Sequence, residues 1–299
     1  MVQKDNQSWL QVDDDTFKPR STGITLNTIP SGHYGMYYEP MSGDWCLRKM
    51  SIDTDKLIDI ASDVTIKINT IINKFLDSKS EYLKYGFLYK RGLILHGEPG
   101  SGKTCIVHSI CDRVIRQYDA TVIHLSSEGS VEGFLEIVEI FKNLQKDKLT
   151  VLIIEDLEFI ANSNIESKFL NLIDGDLTLP NCIVIGTTNY IEKIKERITN
   201  RPSRFDDRIH VPMLSLQDRK KIILNKIPTI LEDDLEKWIK STDGYSFSHI
   251  IELIKKVMIL DISFEDGIKD LNDLINVKKD SSTKYKSKPL GFNTNNTDR

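Results

Sequence analysis

The segment Gly97-Glu98-Pro99-Gly100-Ser101-Gly102-Lys103-Thr104 stands between an apolar run, Gly92 to His96, and a stretch of helical periodicity. A G-x-x-x-x-G-K-T spacing in that setting constrains the fold more than any other feature of the chain. The glycines let the backbone curl until successive N–H groups face one concavity. The helix N-terminus adds the positive end of its dipole, and phosphate oxygens fit the nest. Lys103 supplies a point charge to terminal phosphates and Thr104 a hydroxyl ligand for Mg2+.

The rest of the pattern agrees with a strand–loop–helix unit inside a larger parallel sheet. Apolar runs at Gly92 to His96, Thr121 to Leu125, Leu149 to Ile154, Cys182 to Ile185 and Ile209 to Val211 alternate with helical stretches. Near-continuous apolar strands separated by helices are covered on both faces. The fold class expected is α/β, a P-loop NTPase with a five-stranded parallel sheet over 86–212. A small helical lid domain over 213–276 follows, where Leu216 to Lys226, Leu231 to Lys240, Ser246 to Leu260 and Phe264 to Ile275 read as helices. Ahead of the sheet, 24–85 reads as a small α+β module with a linker helix. Asp53 or Thr54 caps that helix, whose apolar positions are Leu57, Ile60, Val64, Ile68, Ile71, Ile72 and Phe75. The tyrosines of Tyr34-Gly35-Met36-Tyr37-Tyr38 read as a packing face. Residues 1–23, polar with Asp13-Asp14-Asp15, read as a flexible arm, and the Lys-rich 277–299 as a disordered tail.

Strand ends carry the remaining chemistry. Val151-Leu152-Ile153-Ile154 runs into Glu155-Asp156-Leu157-Glu158, so consecutive acids emerge at the carboxyl end of a buried strand. Parallel sheets bind ligands at that edge. One acid can hold Mg2+ through water and the next can orient an attacking water. Cys182-Ile183-Val184-Ile185 runs into Gly186-Thr187-Thr188-Asn189, whose amide can bond both a phosphate and a water. Asn200-Arg201-Pro202-Ser203-Arg204-Phe205-Asp206-Asp207-Arg208 sets three arginines on one short segment. Guanidinium suits charge on a transferring phosphoryl group; a salt-bridge cluster with Asp206 and Asp207 is the plainer alternative.

From about Tyr85 to Ile275 the set resembles the AAA+ ATPases of the AAA family. Gly97 to Thr104 is similar to Walker A, Ile153 to Glu158 to Walker B, Asn189 to the first sensor, and Arg201 with Arg204 to paired arginine fingers. Leu172-Ile173-Asp174-Gly175 and Gly244-Tyr245-Ser246 are also family-like. The resemblance implies ATP and Mg2+ as cofactors. It implies catalytic roles for Lys103, Glu155, Asp156, Asn189, Arg201 and Arg204, with Mg2+ held by Thr104 and Glu155, partly through water. Nucleotide contacts extend from Gly97, Glu98, Pro99, Gly100, Ser101, Gly102, Lys103 and Thr104 to Cys105, Tyr85 and Gly86. By position Glu155 serves the metal and Asp156 the water; their lengths leave the exchange of roles open. The Glu-Asp order and Tyr89-Lys90-Arg91-Gly92 are similar to the branch containing the mitochondrial translocase of folded Rieske protein. The N-terminal module resembles small ATPases encoded by phages and other viruses, an origin that the Asn-, Ile- and Lys-rich composition permits.

Three functions follow as expectations. The first is a homo-oligomeric, hexameric ring that hydrolyses ATP to remodel or translocate a protein client. Ser126-Ser127-Glu128-Gly129-Ser130 stands where threading members carry an aromatic paddle, which argues against hand-over-hand unfolding. The second is a nucleic-acid motor or loader, opposed by the net charge of −4. The third is a slow ATP-dependent switch or scaffold, motivated by the inverted acids. Four cysteines without a Cys-x-x-Cys pair and six histidines without His-x-x-x-His argue against zinc and disulfides. His96, His108, His124 and His210 read as structural. No apolar stretch reaches membrane-span length and no signal peptide opens the chain. A cytoplasmic protein is expected, in the host cytoplasm if viral.

Overall fold

The computed structural model describes residues 8–20, 25–40, 42–51, 63–126, 129–161, 166–175, 178–199, 201 and 203–284. The chain divides into two compact units, 1–218 and 219–299. The first unit holds β1 (Ser8–Asp13), β2 (Thr16–Arg20), β3 (Thr25–Leu26), β4 (Gly32–Glu39), β5 (Asp44–Lys49), α1 (Asp63–Asp77), α2 (Lys79–Lys84), β6 (Lys90–His96), α3 (Lys103–Tyr118), β7 (Thr121–Leu125) and α4 (Val131–Leu144). It continues with β8 (Thr150–Ile154), α5 (Leu157–Ala161), α6 (Glu166–Asp174), β9 (Cys182–Thr188), α7 (Glu196–Thr199) and β10 (Asp207–His210).

All ten strands join one sheet, in the order β10-β6-β9-β8-β7-β4-β5-β2-β1-β3. Neighbours from β10 to β4 are parallel, and those from β4 to β3 antiparallel. The α/β class and its mostly parallel central sheet agree with the sequence; the five-strand extent does not. The N-terminal segment is no separate module, because β4 extends the parallel half directly on β7, from Gly32 opposite Thr121 to Gly35 opposite His124. Residues 8–20, expected as a flexible arm, form the β1–β2 hairpin. The Asp13 carboxylate accepts the Asp15 N–H at 3.0 Å in its turn. Phe17 is buried edge-to-face on Tyr34, centroids 5.8 Å apart. Buried Lys18 is paired with Glu39 at 2.6 Å. A strand that buries a lysine stem under a carboxylate carries no apolar alternation to betray it.

Strand alternation divides the core. Ile94, Leu152, Ile154 and Val184 face one cluster with α4 and α6. Leu93, Leu95, Val151, Ile153, Ile183 and Ile185 face the other with α1 and α3. Adjacent residues of one strand thus serve opposite layers, which is why the runs read as continuous rather than alternating. The described part of α1 buries Ile68, Ile72 and Phe75; the expected cap at Asp53 or Thr54, and Leu57 and Ile60, lie outside the described residues.

In the second unit α8 (Leu216–Lys226), which begins in the first, leads to α9 (Glu232–Ser241), α10 (Phe247–Met258) and α11 (Phe264–Lys284). Trp238 packs on Phe264 with centroids 5.0 Å apart, and the Tyr245 hydroxyl bonds the Asn272 carboxamide oxygen at 2.8 Å. A reciprocal cap between Ser246 and His249 starts α10. α11 runs on to Lys284, into the segment expected to be a disordered tail. Among the described residues no helix is long and apolar enough to cross a membrane.

The extension is packed, not merely paired. Gly133, in the first turn of α4, lies so close to Trp45 of β5 that a Cβ there would stand 2.3 Å from the indole. Gly133→Ala is expected to cost about 1–3 kcal/mol of stability by overpacking, read as a lowered urea-unfolding midpoint. In a Trp45→Val background the added cost should largely vanish; equal costs in both backgrounds would contradict the contact.

Candidate active site

The phosphate loop leaves β6 at Gly97 and enters α3 at Lys103. Gly100 (φ +82°) and Gly102 (φ +97°) take left-handed backbone that a side chain would strain. The buried Lys103 ammonium donates to the carbonyls of Gly97 at 2.8 Å and Glu98 at 2.9 Å. Burial lowers its pKa, and the nearby Asp156 and Glu158 charges work against that shift. Thr104 is half-buried in the first turn of α3, and Cys105 beside it is buried.

The acids diverge on leaving β8. Glu155 keeps the strand alternation of Ile153 and so emerges on the α3 face; its N–H still bonds the Leu125 carbonyl at 3.0 Å. Asp156 breaks the alternation with a φ of +50°, a left-handed conformation that Asp tolerates better than most residues and that clusters at functional sites. Its carboxylate accepts from the Asn189 amide at 3.4 Å. Burial raises the Asp156 pKa, as do Glu158 and Glu155, with Lys103 opposing. Glu158 is held from the next strand by the Thr188 hydroxyl at 2.6 Å. Asp156 and Glu158 therefore share the carboxyl edge of β6, β8 and β9 with the Lys103 ammonium, and Glu155 bears on Asp156. Glu158 and Thr188 were given no role of their own from sequence; an acid four residues beyond the strand reads as surface until α5 folds it back.

His124 lies behind Glu155, its Nε2 3.4 Å from Oε2, an ion-pair distance without hydrogen-bond alignment. The reading of this histidine as merely structural therefore misses its neighbour. His96 lies beside His210 with ring centroids 5.3 Å apart, and burial followed by His210 depresses its pKa. All four cysteines are buried free thiols, and burial pushes Cys111 and Cys182 up to about 12.

Arg201 and Arg204 are not brought to this edge. Gly92 holds their segment: its N–H donates to Asp206 at 2.7 Å, and a Cβ on it would stand 2.3 Å from the Arg204 carbonyl oxygen. Lys90, the first residue of β6, donates to the carbonyls of Ile173 and, at 2.6 Å, Ser203. β6 spans about 20 Å at 3.3 Å per residue, so the arginines stand toward the far end of the strand from Gly97. Arg204 is buried, 3.5 Å from Asp174 and bonded to the Arg197 carbonyl. The Arg201 side chain is 65% exposed, 3.8 Å from the same carboxylate. Asp207 instead pairs with Arg91 at 2.8 Å. Tyr85 and Gly86 also precede β6, at its end opposite the loop. Tyr85 borders a cavity of about 780 Å³ with Phe87, Asp174 and Ser203. The structure does not bring these two expected nucleotide contacts to the phosphate loop.

Residues 93–213 match the profile of the "ATPase family associated with various cellular activities (AAA)". The chain is 26% identical over 261 residues to the ATP-dependent zinc metalloprotease FtsH of Lachnoclostridium phytofermentans, covering 80% of this chain and 44% of that protein. It is 27% identical over 208 residues to Protein SAV of Sulfolobus acidocaldarius, covering 64% and 26%. It is 29% identical over 177 residues to the proteasome-activating nucleotidase of Aeropyrum pernix, covering 52% and 42%. The chain thus spans less than half the length of these relatives.

Domains of this class bind ATP with Mg2+ and hydrolyse it, and the residues present fit both. Crowded carboxylates, with the Asp156 pKa raised, are a donor set that a cation relieves. Lys103 and the loop N–H groups would hold phosphates; Thr104 and Glu155 would hold the metal. Lys103→Ala is expected to abolish ATP binding in an equilibrium titration with a fluorescent analogue. Asp156→Asn should retain binding and lose phosphate release by about a hundredfold or more; undiminished release would remove Asp156 from the chemistry.

Proposed function

We propose that the chain works as a ring, the hexamer implied by its family resemblance, in which ATP hydrolysis at subunit boundaries remodels a protein client. One observation supports this above others: Arg201 is exposed at the end of the sheet away from its own phosphate loop. A guanidinium so placed serves a neighbouring copy's triphosphate or none. Arg204, buried against Asp174, anchors the segment that presents Arg201. Within each copy, Lys103 and the loop bind the phosphates, Asp156 with Asn189 orients and deprotonates the attacking water, and Glu155 with Thr104 holds Mg2+. Mg2+ held there would supply charge neutralisation at the phosphate oxygens. Hydrolysis then changes an interface, which is how a site at a boundary moves its neighbours.

The FtsH relative is an ATP-dependent metalloprotease and the Aeropyrum relative a proteasome-activating nucleotidase, by their names. Both names support a protein rather than a nucleic-acid client, as does the net charge of −4. The Glu155-Asp156 order supports the branch of the Rieske-protein translocase, whose client is folded. The sheet extension of β1–β5 lies outside residues 93–213, and we assign client contact to it.

Arg201→Ala should lower turnover by about a thousandfold while leaving the ATP dissociation constant within about threefold. Mixing Arg201→Ala with Lys103→Ala subunits should restore part of the activity, because an intact loop then meets an intact arginine. No recovery in stably mixed particles, or wild-type turnover by Arg201→Ala alone, would defeat the reading.

A further inference from the structure

Three imidazoles gather on the α3 face of the sheet, one of them from outside the AAA domain. Tyr34 of β4 and Ile123 of β7 face the α4 layer, so their neighbours His33 and His124 face α3. His33 stands opposite Val122, His124 opposite Ile153, and Glu155 two residues beyond Ile153. The three side chains therefore run diagonally across three adjacent strands, within the reach that diagonal neighbours have. His33 Nε2 lies 3.2 Å from His124 Nδ1, and the two rings are stacked with centroids 5.3 Å apart and planes 9° apart. His108, from α3, meets His33 edge-on at 6.0 Å. His33 is 4% exposed.

The donor and acceptor in this chain follow from its end. If His124 donated from Nδ1, its bare Nε2 lone pair would face the Glu155 carboxylate, an acceptor against an acceptor. With the proton on Nε2 instead, the positive end of that N–H lies on the side of Glu155 Oε2, 3.4 Å away though not aligned as a hydrogen bond, and the bare Nδ1 accepts from His33. Burial first, then the charges of His124 and His108, pushes the His33 pKa down to about 3. His33 is therefore neutral, with one proton to place, and its buried Nδ1 has no hydrogen-bond partner. An apolar side chain would fill a purely structural position without stranding that nitrogen.

We propose that His33, carried by the strand the N-terminal segment adds to the sheet, is a positioning residue for the ATPase site: its Nε2–H fixes the His124 tautomer, and His124 in turn orients the Glu155 carboxylate. The ring that carries the ligating or reacting group is set by the hydrogen bond its other nitrogen makes. β4 lies outside residues 93–213, so the extension completes the site as well as widening the sheet. This inference rests on Glu155 belonging to the ATPase site and does not depend on ring assembly.

The direct test is the ¹⁵N spectrum of histidine-labelled full-length protein at neutral pH without nucleotide. His124 is expected as a single Nε2–H tautomer in the wild type and as a mixture in His33→Leu. An Nδ1–H tautomer at His124 in the wild type overturns the proposal without any variant having to fold. So does a His124 signal unchanged by His33→Leu. Turnover supplies the second reading: His33→Leu should fall about tenfold, while His33→Gln, which keeps an N–H donor near Nε2, should stay within about twofold. His33→Leu/His124→Leu should fall no further than His124→Leu; losses that multiply would mean independent structural roles. The spectrum stands even where the wild type hydrolyses nothing, so failure of the ATPase reading and failure of this one are told apart.

Discussion

A parallel strand buried on both faces can place polar side chains only where its apolar run stops, and the whole site depends on that constraint. β6 and β9 run level to His96 and Thr188, while β8 ends one pleat earlier with Ile154 opposite Gly186. Gly97, Glu155 and Asn189 therefore emerge at a common edge although far apart in the chain. The two-layer core holds that edge fixed: Leu93 and Leu95 lock β6 to α1 and α3 while Ile94 locks it to the other layer. Backbone pairing sets the positions, and side-chain alternation then sorts Glu155 toward α3 and its histidines.

Electrostatics decides what the edge can do. Lys103 donates to loop carbonyls, and the charges of Asp156 and Glu158 oppose the lowering of its pKa by burial. Burial first, then the charges of Glu158 and Glu155, raises the Asp156 pKa. A divalent cation with a polyphosphate exchanges these frustrated contacts for matched ones, which ties the fold to its ligand by charge alone. The departure of Asp156 into left-handed backbone separates it from Glu155. Two adjacent acids thereby face different partners, Asn189 for one and His124 for the other.

Much of this was legible in the sequence because it is local. The loop, the central strands and the acids that follow β8 are each written in a handful of consecutive residues. What escaped reading is what only pairing creates. The β1–β2 hairpin buries Phe17 and Lys18 through distant partners, Tyr34 and Glu39, and a polar strand of that kind has no period to detect. Glu158 and Thr188 meet across strands, and the His33–His124 bond joins residues 91 apart. Tyr85 and Gly86 lie before β6, whose length separates them from Gly97 in space. Arg201 and Arg204 read as a matched pair, yet folding buries one and exposes the other.

The account turns on whether one copy completes the triphosphate site of the next. Imaging the assembled Asp156→Asn particle with ATP and Mg2+ tests this most directly. The account predicts Arg201 of each subunit within hydrogen-bond distance of the terminal phosphate held by Lys103 of its neighbour. An ATP-bound particle in which Arg201 faces solvent at every boundary, or a protein that stays monomeric with ATP bound, would contradict it.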